Sequence, residues 1–248
     1  MRYFAEIAYH GANYHGLQIQ PNALSVQETL EDTFSKLLGE EVKLTASGRT
    51  DTGVHCRQQF VHFDVSKEVA TKHFLHRINS FLPNDIAVYS LRKVKEEAHA
   101  RYHALSRKYE YHITKAKNPF LQGLAHRLLY AVDVNRMNQA AQLLSQYEDY
   151  EAFCKAHSSA KHCLCQINQA FWEESDTGLV FTVRANRFLR GMVRMLTGTL
   201  LAVGQGKLTV QQFSEIIESK NNRNAGALVP AHGLYLCEVV YPDDIWLD

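Results

Sequence analysis

The chain has 248 residues, 46% of them hydrophobic, and a formal net charge of +1. That length supports one large domain or two of ordinary size, and no run reaches the roughly 20 apolar residues that a bilayer span needs. The opening Met1–Tyr9 mixes charged and apolar residues without a secretory apolar core, and five cysteines in no regular framework fit reduced thiols in a cytoplasm.

Arg2–Tyr9 reads as a strand. A helix follows, opened by Ser25 and Glu28 in the S-x-x-E capping pattern. Its apolar residues Val26, Leu30, Phe34 and Leu37 keep helical spacing, and Gly39 ends it. Two strand-like runs, Val42–Ala46 and Gln58–Val65, flank a polar loop. Lys72–Phe81 reads as a helix with Phe74, Leu75, Ile78 and Leu82 inward and Pro83 closing it, and Ile86–Val94 returns as a strand. The order is β-α-β-β-α-β.

The second half repeats that order. Lys108–Thr114 is a strand with Tyr109, Tyr111 and Ile113 on one face. Arg136–Tyr147 is a helix, Leu164–Trp172 and Leu179–Ala185 are strands, and Asn186–Val203 is a long helix. Val210–Ser219 is a second helix and Leu234–Val240 the final strand. Two such units predict an α+β fold of two ferredoxin-like β-α-β-β-α-β halves with largely antiparallel sheets and the active site in the cleft between them. The boundary falls near His99–Ser106, giving residues 1–104 and 105–248.

The loop Gly48-Arg49-Thr50-Asp51-Thr52-Gly53-Val54-His55 carries the strongest chemical signal. Loops at strand ends commonly hold reactive groups, because the sheet fixes them while solvent and substrate reach them. Arg49 and Thr52 are placed to keep the Asp51 carboxylate ionised, one as a nearby cation and one as a donor. The plainer reading is an ordinary turn in which Asp51 bonds nearby amides. Asp51-Thr52-Gly53 also spells the aspartic-protease triplet, but that chemistry needs a second carboxylate copy, and the sequence has no second D-T-G or D-S-G.

Charge is segregated although the total is near zero. Arg92–Lys117 holds eight Lys or Arg against three acids, and Arg184–Lys207 holds five and no acid. Such stretches fit either solvated faces or a phosphate-binding face. Arg187, Arg190 and Arg194 stand at i, i+3 and i+7 on the expected long helix, which would put them on one face. Tyr109 beside Arg107 and Lys108 is either core or a base-stacking aromatic among cations. His162-Cys163-Leu164-Cys165, with Cys154 and His157 upstream, is a weak zinc pattern, since C-x-C is not the usual C-x2-C. Buried thiols explain it equally well.

Six ordered segments then resemble one family. Ser47-Gly48-Arg49-Thr50-Asp51-Thr52-Gly53-Val54-His55 looks like the active-site motif of the tRNA pseudouridine synthase A family. Tyr9-His10-Gly11 with Gly16-Leu17-Gln18 is similar to its opening Y-x-G and G-x-Q, and Val26-Gln27-Glu28 to its first helix. Ala98–Tyr102 with Ser106–Tyr111, Phe188–Arg194, and Pro230–Leu236 resemble its later blocks. Leu17 stands where an aromatic is common, and Arg190-Gly191 replaces the usual central pair of the F-L-x-x-M-V-R helix motif.

The resemblance implies an isomerase that converts uridine to pseudouridine at positions 38 to 40 of the tRNA anticodon stem-loop, with no cofactor. It implies catalytic roles for Asp51 as nucleophile, Tyr109 as the stacking tyrosine and Arg194 as the arginine paired with the carboxylate. The 1–104 half would then carry the Asp loop and the 105–248 half the Tyr and Arg of the site. Leu234 or Leu236 would supply an apolar floor. Arg49, Arg101, Arg107 and Lys108, with Tyr109, would bind substrate RNA, and the enzyme would work as a cytoplasmic homodimer on tRNA, with no metal, membrane or small-molecule cofactor. The competing expectation is a catalytically silent RNA-binding protein of two ferredoxin-like units, which leaves the octet around Asp51 unexplained.

Overall fold

The computed structural model describes residues 1–155 and 162–247. Their backbone divides into two compact units, Met1–Ser106 with Leu236–Asp248, and Arg107–Tyr235. The fold is mixed α+β; in the first unit the chain's first four strands pair antiparallel, and in the second the three longest strands pair antiparallel with one short two-residue parallel bridge beside them.

In the first unit the chain runs β1 (Arg2–Tyr9), α1 (Val26–Leu38), β2 (Thr45–Ala46), β3 (His55–Asp64), α2 (Thr71–Phe81) and β4 (Ile86–Val94). The strand order is β4-β1-β3, and β2 adds two residues to β3. Ser25 caps α1 by accepting a hydrogen bond from the Glu28 amide at 3.2 Å, and Gly39 ends it with φ 72°. Val26, Leu30 and Phe34 are buried from α1, and Phe74 and Ile78 from α2. Phe34 lies edge-on to Phe63 of the sheet at 5.0 Å and to Phe74 of α2 at 5.5 Å. The run 42–46 forms only two residues of strand. Val42 and Leu44 are buried, but the Leu44 amide bonds the Glu31 carboxylate rather than a strand partner.

The second unit holds β5 (Ser106–Thr114), β6 (His126–Arg127), α3 (Val134–Leu143), β7 (Ile167–Ser175), β8 (Gly178–Ala185), α4 (Met192–Gly204) and α5 (Val210–Glu218). Its order is β5-β8-β7. Asp133 caps α3, and Thr209 with Gln212 forms a reciprocal capping box on α5. β9 (Leu234–Val240) closes the list of strands, and from Leu236 onward it belongs to the first unit, beside β3.

Three expectations change here. The helix read over 186–203 begins only at Met192, because Gly191 at φ 73° sets its N-cap. Arg187 and Arg190 therefore lie in the loop before α4, and the arginine stripe of i, i+3 and i+7 spacing does not exist. The strand read from Leu164 starts at Ile167. Cys163 and Cys165 precede it, no cluster of three metal-ligating side chains forms among the described residues, and His157 lies outside them.

The two end strands, β4 and β7, are sealed in the same way. On β4, the Asn79 side chain from α2 donates to Val88 O at 2.7 Å and accepts from Val88 N at 2.9 Å. On β7, Asn138 from α3 does the same for Trp172, at 2.9 and 2.7 Å.

His62 on β3 is a buried polar group with a defined partner: its Nδ1 accepts the Ala100 amide at 3.1 Å. Burial, then the Arg2 and His99 charges, lower its pKa to about 4. The unfolded chain, with an ordinary value near 6.5, binds that proton first. The stabilisation is therefore fully present above about pH 6.5 and is lost as pH falls toward 4, at up to about 1.4 kcal/mol per pH unit. Urea unfolding across this window should show the fall in the wild type and a shallower one in His62→Gln; equal slopes would remove His62 as a source.

Candidate active site

The loop from Ser47 to Val54 joins β2 to β3, and the fold holds it from beneath. Within it the Val54 amide bonds Asp51 O at 3.1 Å, closing a turn in which Gly53 takes φ 77°. Thr50 Oγ1 meets the Tyr9 hydroxyl at 2.7 Å. That hydroxyl also donates to Gln59 Oε1 at 3.3 Å, and Gln59 Nε2 donates to Gly48 O at 2.6 Å. Gln59 has no exposed surface. Its one buried amide thus ties the end of β1 to the start of the loop.

The opening segments brace the same loop. The Leu17 amide donates to Thr50 O at 3.3 Å, and the Gly11 amide donates to His55 Nδ1 at 3.0 Å. A Cβ at Gly11 would sit 2.0 Å from Val54 O, and one at Gly16, already at φ 91°, 2.5 Å from Thr50 O. These two glycines let the backbone of 11–17 lie directly against the loop. The amides of Val26 and Gln27 bond the carbonyls of Gly16 and Leu17, so the start of α1 carries the brace. Asp51 is left half-buried, with Arg49 and Thr52 exposed beside it. The arrangement presents a half-buried carboxylate on a loop held by hydrogen bonds from Tyr9, Gly11, Leu17 and Gln59.

In the second unit, Tyr109 and Tyr111 share one face of β5. Tyr109 is half-buried and lies edge-on to Phe188, with centroids 5.1 Å apart at 86°. Tyr111 is buried and donates to Pro230 O at 2.9 Å. Burial drives its phenol pKa upward, against the opposing charge of Arg194. Arg194, on the first turn of α4, donates through Nε to Val229 O at 2.8 Å. Gly233 fits under Tyr111, where a Cβ would stand 2.8 Å from the ring carbon Cζ. The segment 229–233 therefore fixes both the buried tyrosine and the arginine.

The remaining sequence candidates divide between the two units. Arg107 Nη1 donates to Asn186 O at 2.7 Å, and Lys108 Nζ lies 3.5 Å from Glu110. Arg101 is exposed in the first unit, its guanidinium 5.8 Å from the Tyr102 ring centre. Arg187 approaches His162 at 3.1 Å, and Arg190 is exposed. Leu234 and Leu236 are both buried. Asp51, Arg49 and Arg101 belong to the first unit, and Tyr109, Arg107, Lys108 and Arg194 to the second. Sequence reading missed Gln59 and the paired role of Tyr9 and Thr50. The available signal was a glutamine at an inward position of an apolar strand.

Comparison with known proteins bears directly on these segments. A family model described as tRNA pseudouridine synthase matches residues 5–103 and 140–242. The chain belongs to the tRNA pseudouridine synthase family. A relative named tRNA pseudouridine synthase A from Bacteroides thetaiotaomicron is 46% identical over 248 residues, covering 99% of this chain and 92% of its own length. The protein of that name from Porphyromonas gingivalis is 44% identical, with 99% of each chain covered. The one from Bacillus pumilus is 35% identical, with 97% of this chain and 99% of its own covered. The first matched block contains the Asp51 loop and both of its braces. The second contains the Phe188–Arg194 segment and the Val229–Gly233 support.

Removing the Tyr9 hydroxyl leaves Thr50 and Gln59 each short of a partner. Tyr9→Phe should destabilise the fold by about 1 to 2 kcal/mol, read as a lower denaturant midpoint at constant m-value; an unchanged midpoint would mean that water replaces the hydroxyl.

Proposed function

We propose that this protein is an isomerase that converts uridine to pseudouridine in tRNA, acting at positions 38 to 40 of the anticodon stem-loop. The observation that carries the reading is the Ser47–His55 motif, a hydrogen-bonded loop with Asp51 half-buried, in a chain that matches tRNA pseudouridine synthases over 99% of its length. The reaction breaks the N1–C1′ glycosidic bond, turns the freed uracil, and joins C5 to C1′. Atoms and electrons balance within the nucleotide, so no external reagent is consumed.

Asp51 acts at the electron-poor sugar carbon or base, as a nucleophile or as a stabiliser of an oxocarbenium-like state, in the manner of glycosidase carboxylates. Arg194 holds that carboxylate in its charged form and orients it; its Nε bond to Val229 O supports this by fixing the side chain's direction. Tyr109 stacks on the target base and assists loss of the C5 proton; its half-buried ring propped on Phe188 suits that task. Leu234 and Leu236 supply apolar surface that limits capture of the sugar by water. A base within a stem must leave the stack, which costs roughly a few kcal/mol. Arg49, exposed on the Asp51 loop, fills the vacated space or holds the flipped nucleotide's phosphate.

Arg101, Arg107 and Lys108 contact the RNA backbone, in keeping with recognition of folded RNA by shape. The enzyme works in the cytoplasm as a homodimer. Its five cysteines are all free thiols, as a reducing compartment requires.

Incubation with an unmodified tRNA transcript, followed by mapping of pseudouridine, should give product at positions 38 to 40. Product elsewhere would correct the site, and tight binding without product would favour the silent binder. Asp51→Asn should abolish turnover and keep most tRNA affinity, because cations supply that affinity. Product at the wild-type rate would take Asp51 out of the mechanism. Arg107→Ala should weaken binding and reduce the slope of log K against log salt by about one; an unaltered slope would show that Arg107 meets no phosphate.

A further inference from the structure

We propose that Tyr102 is a stacking platform for an unpaired nucleobase of the RNA substrate, with Arg101 beside it engaging that nucleotide's phosphate. The proposal rests on the reading of the chain as a tRNA-modifying enzyme and adds a contact that lies outside the groups assigned to the chemistry.

Tyr102 is 73% exposed, yet its ring is held. It lies against His99 with centroids 4.3 Å apart and planes at 34°. His99 packs on His62 at 4.7 Å, and His62 stacks on the buried Phe4 at 5.9 Å. Four rings thus form a column from the core to the surface, and the last one is largely exposed, with the Arg101 guanidinium over it 5.8 Å from its centre. The backbone beneath is equally fixed. His99 Nδ1 accepts the amides of Arg101 at 3.1 Å and Tyr102 at 3.4 Å, and the His103 amide bonds His99 O at 3.1 Å. Ala100 is pinned by His62 through its amide and by the Tyr241 hydroxyl through its carbonyl, and Arg2 Nη1 holds Ala98 O at 2.9 Å.

An exposed tyrosine on a floppy turn would lose rotamer freedom on binding. This one has already lost it, which is the condition for efficient stacking. Every base has an aromatic face, so a ring platform accepts any unpaired nucleotide, and a guanidinium 5.8 Å from the ring centre is placed for the adjoining phosphate. Two half-buried or buried histidines in the column, both with lowered pKa values caused first by burial, stay neutral near pH 7. They support the ring without adding charge to it.

The test is the affinity of an unmodified tRNA transcript for wild type, Tyr102→Ala, Tyr102→Phe and Arg101→Ala across a salt series, with pseudouridine formation by the wild type measured in the same preparation. Tyr102→Ala should lose about tenfold in affinity at every salt concentration, at the lower end of base–aromatic stacking, with an unchanged salt slope. Tyr102→Phe should bind like the wild type, and Arg101→Ala should lose about one unit of slope. Thermal unfolding of Tyr102→Ala should match the wild type, since the ring is exposed. Unchanged affinity of Tyr102→Ala, from a wild type that makes pseudouridine, overturns the platform. So does a change in oligomeric state at constant RNA affinity, which would assign Tyr102 to a protein contact. A wild type that makes no pseudouridine would sink the underlying reading instead, whatever Tyr102 does.

Discussion

One buried amide governs the loop that carries Asp51. Gln59 sits in a strand and is fully buried, and an unpaired side-chain amide there costs about 1 to 3 kcal/mol. Its two ends find the Tyr9 hydroxyl and the Gly48 carbonyl. The demand for partners therefore runs outward from the core and fixes the start of the loop. Thr50 receives the other side of Tyr9, and Leu17 takes the Thr50 carbonyl. These bonds hold the loop through its backbone and through Thr50, and the Asp51 side chain stays half-buried.

The same logic explains why motifs far apart in sequence travel together. Tyr9–Gly11, Gly16–Gln18 and Val26–Glu28 are separate in the chain, yet each touches the loop or the segment that touches it. Substituting any one would shift the others through backbone contacts that have no slack. In the second unit, 229–233 does comparable work for Tyr111 and Arg194. Gly233 makes room for the Tyr111 ring, the Pro230 carbonyl takes its hydroxyl, and the Val229 carbonyl takes the Arg194 Nε.

Much of this was legible in the sequence. Ser25 and Gly39 bracket α1 by chemistry that a sequence displays, a side-chain acceptor at one end and a residue tolerant of φ 72° at the other. β1, β4 and β9 match their predicted spans to the residue, at Arg2–Tyr9, Ile86–Val94 and Leu234–Val240. The start of α4 did not. Asn186–Gly191 is apolar and basic enough to continue a helical pattern, and only the left-handed Gly191 breaks it. The strand expected from Leu164 starts later because Cys163 and Cys165 use their backbone groups on Tyr150 and Glu148 rather than in the β7 ladder. Gln59 was hidden because a polar residue in an apolar strand reads as an interruption until its partners are known. Return of the last residues to the first unit also leaves no mark in composition.

The paired amides of Asn79 and Asn138 carry a consequence for the molecule's life in a crowded solution. Each occupies both hydrogen-bonding groups of one residue at a sheet margin. A foreign extended peptide aligning there would find the middle rung of its ladder already taken and would have to evict a side chain to bind in register. The margins are thereby poor templates for templated aggregation, and the protection comes from two neutral residues without adding charge to a surface that must accept a polyanion.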